Sequence, residues 1–343
     1  MRCEDTRMFA EAAEAPQVVA AQLRENSDLV RHAADRLRER RPTAALTCGR
    51  GSSDNAGVYA RYLIETRTGV MTSPMPLAVS SVYGRTPEVP GAVCLAISQS
   101  GQSPDLVAAA AAARKGGAFV VALVNAESSA LSEAADLTLP LRAGPETSVA
   151  ATKSFVASLS ALAHLVAECT GDAALLAGVV ALADHLAAAW RPDWRAALPT
   201  LAEASSLYVV GRGVGYAAAR EAALKLKETC AIHAEAFSAA EVRHGPMTLV
   251  GAGFPVLMLA QADATLADNA ALASDFAARG ATVMAAGLPA SGAVRSLPAV
   301  SAHPMLEPIL LIQSFYRLAV QLSVVRGLDP DRPPYLKKVT ETV

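Results

Sequence analysis

Gly49-Arg50-Gly51 recurs as Gly211-Arg212-Gly213, 162 residues later. Each triplet closes a short apolar run and opens a helical pattern, ALTCGRGSSDNAGVYARYLIE at 45–65 and SSLYVVGRGVGYAAAREAALKLKE at 205–228. At the same offset VCLAISQ (93–99) meets PVLMLAQ (255–261). Further on, ARKGGAFVV (113–121) finds its partner in AARGATVM (277–284). Ser154-Phe155 finds its counterpart in Ser314-Phe315. Four matches in order mean an internal duplication. The period is far too long for a solenoid, so the chain is predicted to be two copies of one domain. Within each copy, apolar runs without alternation are followed by glycine-rich turns and helical patterns. That grammar predicts an α/β fold with a parallel sheet covered on both faces.

The 343 residues suit two domains rather than one, and a hydrophobic share of 52% is ample for two cores. Taken in order, residues 1–28 read as an N-terminal helical segment and 29–170 as the first copy. Residues 171–200 read as a helical linker, 201–332 as the second copy and 333–343 as a C-terminal tail. Pro16 is expected to interrupt the first helix, with Ser27 or Asp28 capping the second. A net charge of −2 gives no basic footprint for nucleic acid. The five cysteines show no CxxC spacing, which fits buried free thiols in a reducing compartment. The histidines form no HxxxH or HxH cluster, so no metal is expected. The acidic N-terminus lacks a signal-peptide pattern and no apolar run reads as spanning a membrane; a cytoplasmic location is expected.

The copies differ in their chemistry. The first places Ser52 and Ser53 after one strand, and Ser98, Gln99, Ser100 and Ser103 after the next. Hydroxyls, free backbone N–H groups and a helix N-terminus together suit a phosphate. A polar turn with a capping serine would read the same way, although two such turns in one copy favour the phosphate. The second copy has Val214, Gly215, Ala260 and Ala262 at matching positions, without a hydroxyl. It carries instead Glu221, Lys225 and Glu228, spaced four and three apart along one helix face, and His244 in Arg-His-Gly-Pro. An ordinary solvated helix would show the same spacing, but the first copy lacks it, so the charges are not required by the fold. A carboxylate such as Glu228 can act as a general base next to a carbonyl, and an imidazole such as His244 can shuttle a proton to a ring oxygen. The tail, PPYLKKVTETV, either frays or presents Lys337 or Lys338 to a sugar carbonyl.

GRGSSDNAG, ISQSGQSPD, PETSVAATKSF, ALKLKE…IHAEAFSAAEVRHGP and LKKVT occur in that order over nearly the whole chain. With these motifs the chain resembles the sugar isomerase (SIS) domain family in its tandem form. The members most similar in pattern are the isomerase halves of glucosamine-6-phosphate synthases and the stand-alone glucosamine-6-phosphate deaminases. The resemblance implies two five-stranded, flavodoxin-like α/β/α domains assembled as a homodimer, with no cofactor. It implies that Ser52, Ser53, Ser98, Gln99, Ser100 and Ser103 hold the phosphate and nearby sugar hydroxyls. Glu228 then matches the base moving a proton between C1 and C2. His244 matches the ring-opening histidine, acting in the neighbouring subunit's site. Lys338 matches the tail lysine near the carbonyl end, Lys225 and Glu221 match supporting positions, and Val149 lines the sugar site. The synthases carry a glutamine-hydrolysing domain in front that this sequence does not show, so the expected direction is release of ammonia from glucosamine 6-phosphate to give fructose 6-phosphate. Galactosamine 6-phosphate, fructoselysine 6-phosphate and a non-catalytic phosphosugar sensor remain as alternatives. Arg50 departs from the synthase turn and either touches phosphate or pairs with an acid.

Overall fold

The computed structural model describes residues 1–338; residues 339–343 of the expected tail lie outside the described residues. The chain divides into two units. One comprises Gln17–Glu146, Lys153–Leu182 and the chain from Lys337; the other comprises Met1–Pro16, Thr147–Thr152 and Ala183–Leu336. The first unit holds β1 (Ala44–Cys48), β2 (Thr72–Pro74), β3 (Ala92–Ser98), β4 (Phe119–Val124) and β5 (Leu137–Pro140). They form an all-parallel sheet in the order β2-β1-β3-β4-β5. Every residue of β3 and β4 is buried, because helices cover both faces of a parallel sheet, and this is why the runs are apolar throughout. Ala92, Cys94 and Ala96 pack with Val120 and Ala122 against Leu106, Ala109, Ala110 and Ala113 of the helix Pro104–Lys115. The alanine face lets that helix lie close on the sheet.

The second unit repeats the plan with β6 (Ser206–Gly211), β7 (His233–Ser238), β8 (Pro255–Leu259), β9 (Thr282–Ala286) and β10 (Arg295–Leu297). Its order, β10-β9-β8-β6-β7, is the same order with β6 in the place of β1 and β7 in that of β2. Both sheets therefore follow the flavodoxin-like arrangement, as the duplication predicts. The repeated first glycine has a steric cause in each copy. A Cβ on Gly49 would lie 2.7 Å from the backbone of Ser53, and one on Gly211 2.6 Å from the Gly215 carbonyl oxygen.

Several local expectations are corrected. A helix Arg7–Ala13 ends just before Pro16, as expected, but the next helix, Ala15–Arg40, runs unbroken through Ser27, where a new start was expected. Pro16 sits in its first turn, where its missing N–H costs nothing. Ser27 and Asp28 lie inside it and accept hydrogen bonds from Arg31 instead of capping. The stretch 221–246 contains the strand β7: the helix Tyr216–Cys230 ends where Ala231 turns left-handed (φ 52°) and returns its N–H to Leu226. All five cysteines are free, but only Cys48, Cys94 and Cys230 are fully buried. One helix, Glu307–Val325, is by length and composition able to cross a membrane, against the expectation that no run would be. In the structure 78% of it is buried inside the protein.

Candidate active site

In a doubly wound sheet the strand order reverses between the first strand and its neighbour, and a crevice opens beyond their carboxyl ends. In the first unit that point lies between β1 and β3, where Cys48 pairs with Ala96. The structure brings the two serine turns together there. Ser52 and Ser53 are the first residues of the helix Ser52–Thr68, entered through Gly51. Ser98 ends β3, and its Oγ accepts from the Gly101 N–H at 2.9 Å, folding the turn back on itself. Gly101 must be glycine, since a Cβ there would lie 2.3 Å from the Ser129 Oγ. Gln99 and Ser100 are half-buried, and Ser100 Oγ accepts from the Gln102 N–H. Ser103 stands at the N-cap of the helix Pro104–Lys115 but makes no capping bond with its hydroxyl. Two helix N-termini and several hydroxyls thus border one crevice, which suits an anion.

The equivalent point of the second unit is closed. Gln261, fully buried, donates through Nε2 to the Arg212 carbonyl (2.9 Å), Asp263 Oδ2 (2.8 Å) and Thr265 Oγ1 (3.1 Å). Its Oε1 comes so close to Gly215 that a Cβ there would lie 2.2 Å away. The crevice that holds hydroxyls in one copy is filled by an amide in the other.

The second unit carries the charged helix face. Lys225 and Glu221 are 1% and 0% exposed at the side chain, and Glu228 is 22% exposed. Lys225 Nζ lies 3.4 Å from Glu221 Oε1 and donates to Glu228 Oε2 at 2.5 Å. The Tyr316 hydroxyl donates to Glu221 Oε1 at 3.3 Å. Burial pulls the Lys225 pKa down, but the two carboxylates outweigh it and the net shift is upward. The charges are therefore a buried, paired network and not a solvated helix face. Glu228 is its outermost member, an accessible carboxylate oriented from behind by an ammonium.

His244 follows the short helical turn Glu241–Arg243 and is exposed, before Gly245 at φ 123°. No hydrogen bond or ion pair joins it to the Lys225 network among the described residues. Val149 is half-buried, its N–H directed at the Asp331 carbonyl. Lys338 makes an ion pair that the sequence did not show, with Nζ 3.0 Å from Glu146 Oε2. Glu146, buried, also accepts from Ser154 Oγ (2.6 Å) and the Ser154 N–H (3.1 Å) at the start of the helix Lys153–Thr170. A lone carboxylate just before an apolar helix was the signal for it. Arg50 is paired with an acid: Nε and Nη2 both donate to Asp105 Oδ2, at 2.9 and 2.7 Å. Among the described residues no group of three or more His, Cys, Asp or Glu could hold a metal ion.

Comparison with known proteins adds a family. The model described as "SIS domain" matches residues 36–167 and 200–297, one match in each copy. A glutamine–fructose-6-phosphate aminotransferase (isomerizing) of Aeropyrum pernix is 37% identical over 313 residues, covering 85% of this chain and 50% of that protein. Its counterpart in Thermotoga maritima is 33% identical over 330 residues, 89% of this chain and 51% of that protein. The chain thus spans about half the length of these curated relatives. Among solved structures, a protein of Silicibacter pomeroyi provisionally assigned as a phosphosugar isomerase superposes with a TM-score of 0.91 at 42% identity, over 95% of this chain and all of that one. A glucosamine-6-phosphate deaminase of Thermotoga maritima superposes with a TM-score of 0.77 over 98% of this chain and all of that one, at 21% identity; that likeness is one of fold alone.

Proposed function

Since the chain belongs to the SIS domain family, we infer that it is an enzyme that isomerises a phosphorylated hexosamine, converting glucosamine 6-phosphate and water to fructose 6-phosphate and ammonia. The observation that carries this reading is the Lys225–Glu228 pair, a carboxylate held at the edge of an otherwise buried network. An exposed ion pair would be worth little, whereas burying Lys225 and Glu221 is costly and calls for a use. The serine turns of the first copy hold the phosphate, and Val149 lines the sugar site. His244 gives a proton to the ring oxygen as the ring opens. Glu228 removes the proton from C2 of the open amino-aldehyde and returns it to C1 while the C1 oxygen gains a proton and the amine loses one, which leaves a hydroxyl at C1 and an imine at C2. Water adds to that carbon and ammonia leaves. Lys338, ion-paired with Glu146, acts as an ammonium that polarises the carbonyl end; a Schiff base would require its neutral form. The enzyme works in the cytoplasm as a homodimer, with His244 serving the partner's site, which accords with its exposure.

Ammonia and fructose 6-phosphate should form together from glucosamine 6-phosphate, faster than galactosamine 6-phosphate yields ammonia and tagatose 6-phosphate or fructoselysine 6-phosphate yields lysine and glucose 6-phosphate. Absence of ammonia release from every hexosamine phosphate in such a panel would sink the proposal. Glu228→Gln should lower kcat by about 10²–10⁴-fold with little change in KM, as removal of a general base does. Full activity in that variant would remove Glu228 as the base, and a wild-type chain that binds phosphosugars without turning any over would favour a sensor instead.

A further inference from the structure

Arg50 is the one cation within the two serine turns, residues 49–53 and 98–103. Its guanidinium spends one edge, Nε and Nη2, on a single oxygen of Asp105. Asp105 is completely buried in the first turn of the helix Pro104–Lys115, and its other oxygen accepts the Leu106 N–H. The arginine side chain is nevertheless 56% exposed. An arginine has five N–H donors in a planar fork, and the edge formed by Nη1 and the outer hydrogen of Nη2 has no partner among the described residues. That edge has the spacing of two oxygens of a phosphate. The backbone carries it to the right place: Arg50 lies between Gly49 and Gly51 at the end of β1, and Asp105 follows two residues after Ser103. The pair therefore spans the crevice that the serines border.

The duplication supplies a comparison inside the same chain. Arg212, the counterpart of Arg50, also pairs with an acid near the start of the following helix, through Nη1 to Asp268 Oδ2 at 2.6 Å. There the exposures are reversed, with the arginine 33% and the aspartate 61% exposed. A tie between turn and helix is thus common to both copies. Only in the first is the acid buried and the arginine turned outward, and only there is the crevice not filled by a glutamine.

We propose that Arg50 is a phosphate-binding residue: Asp105 fixes one edge of its guanidinium, and the other edge takes two oxygens of the substrate's phosphate. This deepens the reading above and rests on the serine turns holding a phosphate. A phosphomonoester carries a charge of about −1.5 to −2 at neutral pH. Hydroxyls and helix ends offer only partial charges, and Asp105 at the helix start opposes an anion. A site built without Arg50 would hold the dianion poorly.

Titration calorimetry of the full chain with inorganic phosphate tests this without relying on turnover. Arg50→Met should weaken phosphate binding at least tenfold, while Arg212→Met leaves it unchanged. Arg50→Lys, which keeps the charge and loses the fork, should fall between; it is the variant to read if Arg50→Met does not fold. The double variant Arg50→Met/Asp105→Asn decides whether the arginine merely cancels the aspartate. It should remain at least tenfold weak, and recovery to wild-type affinity would overturn the proposal. Unchanged binding in Arg50→Met would overturn it while leaving the serine turns as the phosphate site. A wild-type chain that binds neither inorganic phosphate nor a hexose 6-phosphate would remove both the proposal and the phosphate reading beneath it.

Discussion

Lys225 shows how much one residue can require of its surroundings. A lysine with 1% of its side chain exposed survives only because Glu221 and Glu228 lie beside it. Lys225→Met keeps the length and removes the charge, leaving Glu221 buried without its cation. Breaking a buried pair in this way costs about 3–5 kcal/mol, to be read as a drop in the midpoint of denaturant unfolding. The pH dependence follows from the upward shift of Lys225. Its folded pKa lies above the unfolded one, so its stabilisation is complete below about pH 10.4 and is lost as pH rises through the folded value. The stability gap between wild type and Lys225→Met should be constant from pH 7 to about pH 10 and narrow above that. The spacing of Glu221, Lys225 and Glu228 was legible in the sequence. Their burial was not, because it depends on a helix more than 75 residues away that brings Tyr316 to Glu221.

An element's end can serve a second purpose. Glu146 accepts the Ser154 N–H and hydroxyl at the start of the helix Lys153–Thr170 and the Lys338 ammonium at the same time. It caps a helix and anchors the tail. Glu146→Ala and Lys338→Met should each lower activity, and the double variant should be little worse than the more severe single one, since both remove one interaction. Additive losses would show that the two act separately. At this scale the sequence was readable wherever a run was long and apolar, as in β3 and β4. It was silent on β2 and β10, three residues each, and on β7, whose HAEAFS is built of small residues amid a charged stretch. All three lie at sheet edges, where strands are short and burial leaves little pattern.

For the molecule as a whole, the 162-residue offset announced two like halves, and the shared strand order bears this out. The duplication also exposed what differs, since hydroxyls survive in one copy and an acid–base set appears in the other. No periodicity could reveal assembly. If His244 serves a neighbouring subunit, mixing His244→Ala with Glu228→Gln chains should restore activity that neither variant has alone; a mixture as inactive as its components would place His244 in its own subunit's chemistry. The division into units has a further consequence. Met1–Pro16 and Thr147–Thr152 belong with the carboxyl-terminal half of the chain. Asp331 accepts the backbone N–H groups of Arg7 and Met8, Gln313 donates to the Ala12 carbonyl, and Glu11 binds Thr147 and Ser148. The gene therefore has no seam. A break between Leu182 and Ala183 would leave the later fragment without the segments Met1–Pro16 and Thr147–Thr152, so it should aggregate when expressed alone. Supplying the earlier fragment in the same cell should bring it back into solution. The two copies that the sequence announces are interleaved along the chain, so a cut at their boundary should not yield two independently folded halves.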